Sequence, residues 1–235
     1  MLKMVNKKIA LVTGANRGIG FEICRQLSLT GLSVILTARN REKGLKALAE
    51  LKKNEKEISF FQLDVTSHED IRNTFRFIQE TYGKLDILVN NAGILIDKKP
   101  ALQTDIAVIK DTLETNVYGP FQLIKEFVPL MLKSNDARII NFSSGLGALG
   151  KMGGGYPGYR ISKAAINVLT LIFASELAGT NIKVNSMDPG WVKTGMGGSG
   201  APKSVQEGAE TAVWLATAPE ISTGKFYRDK RIAEW

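Results

Sequence analysis

Short apolar runs alternate with longer stretches of helical periodicity along this chain. Ile9-Ala10-Leu11-Val12 predicts a buried strand, ending in Thr13-Gly14. Ile19, Ile23 and Leu27 then recur every four residues, as one face of a helix does, with Gly31 as the stop signal. Val34-Ile35-Leu36 predicts a second strand, and residues 41–53 a charged amphipathic helix. A third strand, Ile58-Ser59-Phe60-Phe61, precedes a helix from Asp70 to Tyr82. Leu85-Asp86-Ile87-Leu88-Val89 predicts the fourth strand, followed by helix from about Thr104 to Lys133. Arg138-Ile139-Ile140-Asn141-Phe142 is a fifth strand, with helix from about Tyr159 to Ala178. Ile182-Lys183-Val184-Asn185 is a sixth, with helix near Ser204 to Leu215, and Gly224-Lys225-Phe226-Tyr227 reads as a last edge strand.

Continuous apolar runs mark strands buried on both faces, and helices between them predict a parallel sheet covered on both sides. Right-handed crossovers then give an α/β fold: one Rossmann-type, doubly wound parallel sheet of about seven strands. No linker, short-period repeat or composition shift divides residues 1–235, so one domain is expected. Two stretches break the rhythm. Residues 145–158 hold seven glycines in fourteen positions, and residues 191–203 contain Gly195, Gly197, Gly198 and Gly200. Long glycine-rich loops in a compact domain predict mobile loops over an active site.

Composition narrows the class. A hydrophobic fraction of 44% and a charged fraction of 23% exclude disorder, collagen and coiled coil. No apolar run approaches the ~20 residues of a membrane span, so no membrane partner is expected. The basic segment Met1 to Lys8 lacks the apolar core and cleavage site of a signal peptide. The single cysteine, Cys24, excludes an intramolecular disulfide and a cysteine-cluster metal site, and no metal is expected. A reducing, cytoplasmic setting follows as the default. The lone His68, in Thr66-Ser67-His68-Glu69-Asp70, reads as a surface residue at a helix start; a Ser-His-Asp triad is excluded unless His68 serves. The formal charge of +8 suits an anionic ligand or nucleic acid. The basic residues are scattered, with no arginine-rich arm or aromatic ribonucleoprotein motif, so an anion site and no nucleic acid are expected.

That anion site has a place. Thr13-Gly14-Ala15-Asn16-Arg17-Gly18-Ile19-Gly20 lies between the first strand and the first helix, with glycines spaced GxxxGxG. A tight glycine turn lets backbone N–H groups approach a phosphate, and the helix N-terminus adds partial positive charge. On the first strand-turn-helix of an α/β chain, this is a dinucleotide signature.

Further motifs follow in order. They are Asn90-Asn91-Ala92-Gly93 after the fourth strand, Asn116 within a helix, Ser144, Tyr159-Arg160-Ile161-Ser162-Lys163, and Pro189-Gly190 followed by Thr194. With the glycine turn, this series resembles the short-chain dehydrogenases/reductases over almost the whole chain. The stretches Leu36-Thr37-Ala38-Arg39 and Gly224-Lys225-Phe226-Tyr227-Arg228-Asp229 look most like carbonyl reductases.

The resemblance implies a catalytic set of Asn116, Ser144, Tyr159 and Lys163. Tyr159 and Lys163, four apart, share a helix face. A tyrosine hydroxyl has an ordinary pKa near ~10, and a nearby ammonium, with the positive ring of oxidised nicotinamide, is expected to lower it. Ser144 hydrogen-bonds the substrate oxygen, and is chosen over Ser143 because the family pattern uses the second serine. By resemblance, Asn116 positions a water in a relay to Lys163. The cofactor residues implied are Gly14, Asn16, Arg17, Gly18, Ile19 and Gly20 in the turn, Asp64-Val65 at adenine, and Asn91, Ala92 and Gly93 near the ribose. Tyr159, Lys163, Pro189, Gly190, Val192 and Thr194 complete the set around nicotinamide.

Cofactor choice is read from the second strand's end. An acidic residue there binds ribose hydroxyls and repels a 2′-phosphate. Ala38 does neither, and Arg39 with Arg17 offers two guanidinium groups to a phosphate, so NADP(H) is expected. The expected activity is NADPH-dependent reduction of a small-molecule ketone or aldehyde. A 3-oxoacyl-carrier-protein reductase, or a non-catalytic NADP-sensing or nucleic-acid-binding protein on the same scaffold, remain alternatives. Trp191, Met196, Tyr156 and Leu146 are candidates for an apolar pocket. Monomeric carbonyl reductases of the family carry an insertion before the tyrosine. Here only fourteen residues separate Ser144 from Tyr159, so a homodimer or homotetramer built on the helices near 104–133 and 159–178 is expected.

Overall fold

The computed structural model describes residues 7–53 and 57–235. Residues 1–6 of the basic segment Met1 to Lys8, whose lack of a signal peptide was an expectation, lie outside the described residues. The strands are β1 (Ile9–Val12), β2 (Ser33–Ala38), β3 (Ile58–Gln62), β4 (Ile87–Asn90), β5 (Ala137–Phe142), β6 (Ile182–Asp188), β7 (Phe226–Arg228) and β8 (Arg231–Ile232). The α-helices are α1 (Gly18–Leu29), α2 (Arg41–Leu51), α3 (His68–Tyr82), α4 (Ile106–Leu113), α5 (Gly119–Met131), α6 (Pro157–Glu176) and α7 (Val205–Thr217).

The strands form one sheet in the order β3-β2-β1-β4-β5-β6-β7-β8. All neighbours pair parallel except β7 with β8. Residue alternation divides the core in two. Leu11, Leu88 and Ile139 point to one face and join Phe127 of α5; Val12, Val89 and Ile140 point to the other and join Ile23 of α1 and Leu215 of α7. The strand order reverses between β1 and β4, which opens a crevice beyond their C-terminal ends.

Three expectations are corrected. The sheet has eight strands among the described residues rather than about seven, because Phe226–Arg228 turns back into β8. Asp229 and Lys230 make that turn with φ of 51° and 62°, the double positive-φ geometry of a tight hairpin, here without the glycine that usually signals it. The helix expected over 104–133 begins at Ile106 and widens into a π turn at Glu114–Tyr118 before α5. Pro120 lacks the N–H that would bond the Asn116 carbonyl four residues back, so a regular α ladder fails there. The fourth strand starts at Ile87, not Leu85. Leu85 N donates instead to Leu130 O at 3.2 Å, and the Asp86 carboxylate accepts from Ile9 N at 2.8 Å. His68 opens α3 and is exposed.

Candidate active site

The crevice is a cavity of about 820 Å³. Gly14, Asn16, Arg17, Gly18, Ile19 and Gly20 form one wall. The glycines are dictated by what packs on them. Gly14 has φ +61°, and a Cβ there would sit 2.9 Å from Ala92 Cα; a Cβ on Gly20 would sit 2.4 Å from Asn91 Nδ2. The turn and the Asn91–Gly93 loop are laced together. Asn91 N and Ala92 N each donate to Thr13 Oγ1 at 3.0 Å, and Asn91 Nδ2 donates to Thr13 O at 2.7 Å. α1 begins at Gly18, and its N-cap residue Arg17 supplies no side-chain cap, so the amides of its first turn keep their hydrogen-bonding capacity at the cavity wall.

At one end, Ala38 is buried and Arg39 is exposed at the rim, with Arg17 also exposed. Asp64 and Val65 line the same end; Asp64 Oδ1 accepts from Thr66 N at 3.0 Å and Thr66 Oγ1 at 2.8 Å. Thr194 lines the cavity with Gly195 and Met196, while Trp191 is exposed and donates from Nε1 to Gly197 O.

At the other end, α6 presents Tyr159 and Lys163 to the cavity, both buried. Lys163 Nζ lies 5.4 Å from the Tyr159 ring centroid and donates to Phe142 O at 2.7 Å. The Ser144 hydroxyl stands near enough to the phenol to oppose the rise in its pKa, and Ser144 Oγ accepts from Leu146 N at 3.1 Å. Ser143 lines the cavity, while its hydroxyl donates to Lys163 O at 3.1 Å. The expected lowering of the phenol pKa is not a property of these protein groups. Burial, helped by the Asp188 and Asp97 carboxylates and opposed by the Ser144 hydroxyl, pushes Tyr159 up to about 12. Burial draws Lys163 down to about 8, with Asp188 opposing.

Four residues of the expected set stand back from the cavity walls: Asn116, Ser144, Gly190 and Val192. Ser144 reaches the site through the phenol. Asn116 Nδ2 donates to Ile94 O at 2.9 Å and Ser162 Oγ at 3.0 Å, and Oδ1 accepts from Ile94 N at 2.8 Å. Both of its side-chain donors are thereby taken by Ile94 and Ser162. Val192 is buried against Gly208 of α7, and Lys203 covers Gly190.

Similarity to known proteins matches this geometry. A family profile described as short chain dehydrogenase matches residues 8–204. This chain belongs to the short-chain dehydrogenase family. It is 33% identical to (+)-neomenthol dehydrogenase of Arabidopsis thaliana, over 97% of this chain and 98% of that protein. It is 34% identical to carbonyl reductase (NADPH) 1 of Sus scrofa, over 98% of this chain and 95% of that one. A short-chain dehydrogenase of Escherichia coli CFT073, solved in complex with NADPH, superposes with a TM-score of 0.88 at 28% identity, covering 97% of this chain and 98% of its own.

Within this short-chain dehydrogenase, several residues at the site escaped sequence reasoning. Thr13 stitches the glycine turn to the Asn91 loop. Lys193 lines the cavity, and its position beside Thr194 in the Pro189–Thr194 segment was the available signal. Asp188, 4% exposed, ends β6; it accepts from Gly190 N at 2.9 Å and pairs with Arg228 at 3.5 Å. Asp97 meets the start of α6 from a loop far away in sequence. The residues present fit a nicotinamide dinucleotide: an uncapped helix start, a glycine cradle that side chains would fill, and cations at the rim.

Proposed function

We propose that this protein is an NADPH-dependent oxidoreductase that reduces a ketone or aldehyde to an alcohol. The observation that carries the reading is the grouping of the Ser144 hydroxyl and the Lys163 ammonium with Tyr159 at a cavity that Arg17 and Arg39 also line. The amides of the glycine turn and α1 hold the pyrophosphate, Arg17 and Arg39 hold the 2′-phosphate, and Lys193 adds a third cation. A bound nicotinamide supplies the reducing equivalent. Ser144 orients the carbonyl oxygen toward Tyr159, and the Tyr159 hydroxyl donates its proton to that oxygen as negative charge develops there. A phenol held near 12 stays protonated at neutral pH, and an alkoxide is basic enough to take its proton. Lys163 stands beside the phenolate left behind and, one turn along α6, reaches the cofactor ribose. The glycine-rich loops 145–158 and 191–203 close over the bound substrate.

The names of the Sus scrofa carbonyl reductase and the NADPH-bound Escherichia coli structure support the substrate class and the cofactor. The test is a panel of ketones and aldehydes, each with NADPH and with NADH, followed by loss of the reduced-nicotinamide absorbance. Turnover with NADPH in excess of NADH is expected. No turnover of any carbonyl overturns the enzymatic reading, and preference for an acetoacetyl thioester overturns the free-carbonyl one.

We further propose a homodimer or homotetramer. Phe121 of α5 and Ile161, Val168, Leu171 and Ile172 of α6 are exposed, an apolar face that a monomer leaves in water.

A further inference from the structure

We propose that Asp97 is a positioning residue for Tyr159, its buried carboxylate fixing the first turn of α6 to the loop that follows β4.

The start of α6 is short of caps. Tyr156 occupies the N-cap with φ 52° and offers no side-chain hydrogen bond, and Pro157 has no N–H. Arg160 N finds Tyr156 O at 2.9 Å. Tyr159 N has no partner of that kind within the helix, and it donates to Asp97 Oδ2 at 3.2 Å. The acceptor comes from 62 residues away and follows the Asn91–Gly93 loop directly, so one carboxylate ties the cofactor-facing loop to the helix that carries Tyr159 and Lys163. The neighbouring Gly158 lets this turn pack closely on α4: a Cβ there would lie 3.3 Å from Ile109 Cα. A carboxylate at a helix N-terminus is also favoured by the helix dipole.

Asp97 is 2% exposed, and its Oδ1 has no hydrogen-bond partner among the described residues. Burial and then Asp188 do most to raise the proton affinity of the phenol, and the Asp97 carboxylate adds to that rise. The other groups facing Tyr159 are accounted for. Lys163 comes from α6 itself, and Asp188 comes from the end of β6 with Arg228 of β7 beside it. Ser144, after β5, is neutral, and the charged Lys110 and Asp111 of α4 are exposed to solvent.

The proposal rests on Tyr159 being the proton donor, and its test separates the two. Asp97→Asn keeps an oxygen for Tyr159 N but removes the charge; Asp97→Ala removes both. Amide hydrogen exchange at Tyr159 is expected to be slow in wild type and Asp97→Asn and faster in Asp97→Ala. Carbonyl reduction falls at alkaline pH as the phenol loses its proton, and in Asp97→Asn that limb is expected at lower pH than in wild type. Unchanged exchange in Asp97→Ala overturns the tether, and an alkaline limb that stays or moves up in Asp97→Asn overturns the charge. Retained turnover in Tyr159→Phe overturns the role of Tyr159, while the exchange result, which needs no activity, still judges the tether.

Discussion

At the residue scale, Tyr159 and Lys163 are a phenol and an ammonium buried together, each held away from its ordinary pKa by loss of water. Tyr159→Phe removes the transferable proton and keeps the ring. Its kcat is expected to fall about 100- to 10,000-fold, the usual worth of a general acid, with NADPH affinity unchanged by titration. Lys163→Ala is expected to weaken both cofactor binding and turnover. Lys163 also sets a stability signature. Its folded value of about 8 lies below the ordinary 10.5, so between these values the unfolded chain holds a proton that the folded chain has released. Raising pH through this window stabilises the fold, and the burial penalty returns as pH falls back to 8. Tyr159 acts oppositely from 10 to 12, where the unfolded chain gives up a proton that the folded chain keeps. The unfolding free energy of wild type, relative to Lys163→Met, is expected to rise between pH 8 and 10.5 by chemical denaturation. A flat difference would mean that the ammonium is better solvated than its surroundings indicate.

At the scale of elements, the parts legible in the sequence were those written in local order. A four-residue run such as Ile9–Val12 specifies a buried strand, and the Tyr159–Lys163 spacing specifies one helix face. Contacts made across the fold were not legible. Asp97 finds Tyr159 N, and Asn116 finds Ile94 and Ser162, only once separate loops and helices meet. The π turn at Glu114–Tyr118 follows from Pro120, but helical periodicity averages over such a defect. The end of β2 is local, and there the sequence makes a sharp prediction. Ala38 presents no carboxylate, and Arg39 and Arg17 both line the cavity and are exposed. A hydrogen bond to a charged group contributes about 1.5–3 kcal/mol. Each arginine should then favour NADPH by about ten- to a hundred-fold, less at high salt. Ala38→Asp with Arg39→Ala is expected to move kcat/KM toward NADH while kcat at saturating cofactor changes little, because Tyr159 is left intact. A double mutant that keeps the full NADPH preference places the discrimination at Arg17 or Lys193.

At the scale of the whole molecule, the sheet buries both of its faces, yet α6 leaves apolar side chains in water. Val168 and Ile172 lie one turn apart and are 55% and 49% exposed, and Ile161 stands one heptad before Val168, so the three form a stripe along α6. Phe121 of α5 packs 5.7 Å from Phe173 and widens the stripe. The opposite face of α6 is committed to Tyr159, Lys163 and the sheet, so this stripe can be covered only from outside. A twofold copy of the same face matches apolar to apolar, as a self-complementary interface requires. A stable interface of this kind buries about 1,200–2,000 Å² in total, within reach of two helices from each partner. Sedimentation at micromolar concentration is expected to give a species of at least twice 25.7 kDa. Val168→Glu places a charge where the stripe would be dry, and is expected to shift the protein to monomer with its fold intact, because the position is exposed within one chain. Since α6 carries the catalytic pair on its other face, loss of the partner is expected to loosen Tyr159 and lower kcat without a matching change in NADPH affinity. A wild-type monomer at these concentrations overturns the dimer, and a dimer that survives Val168→Glu unchanged places its interface on another face.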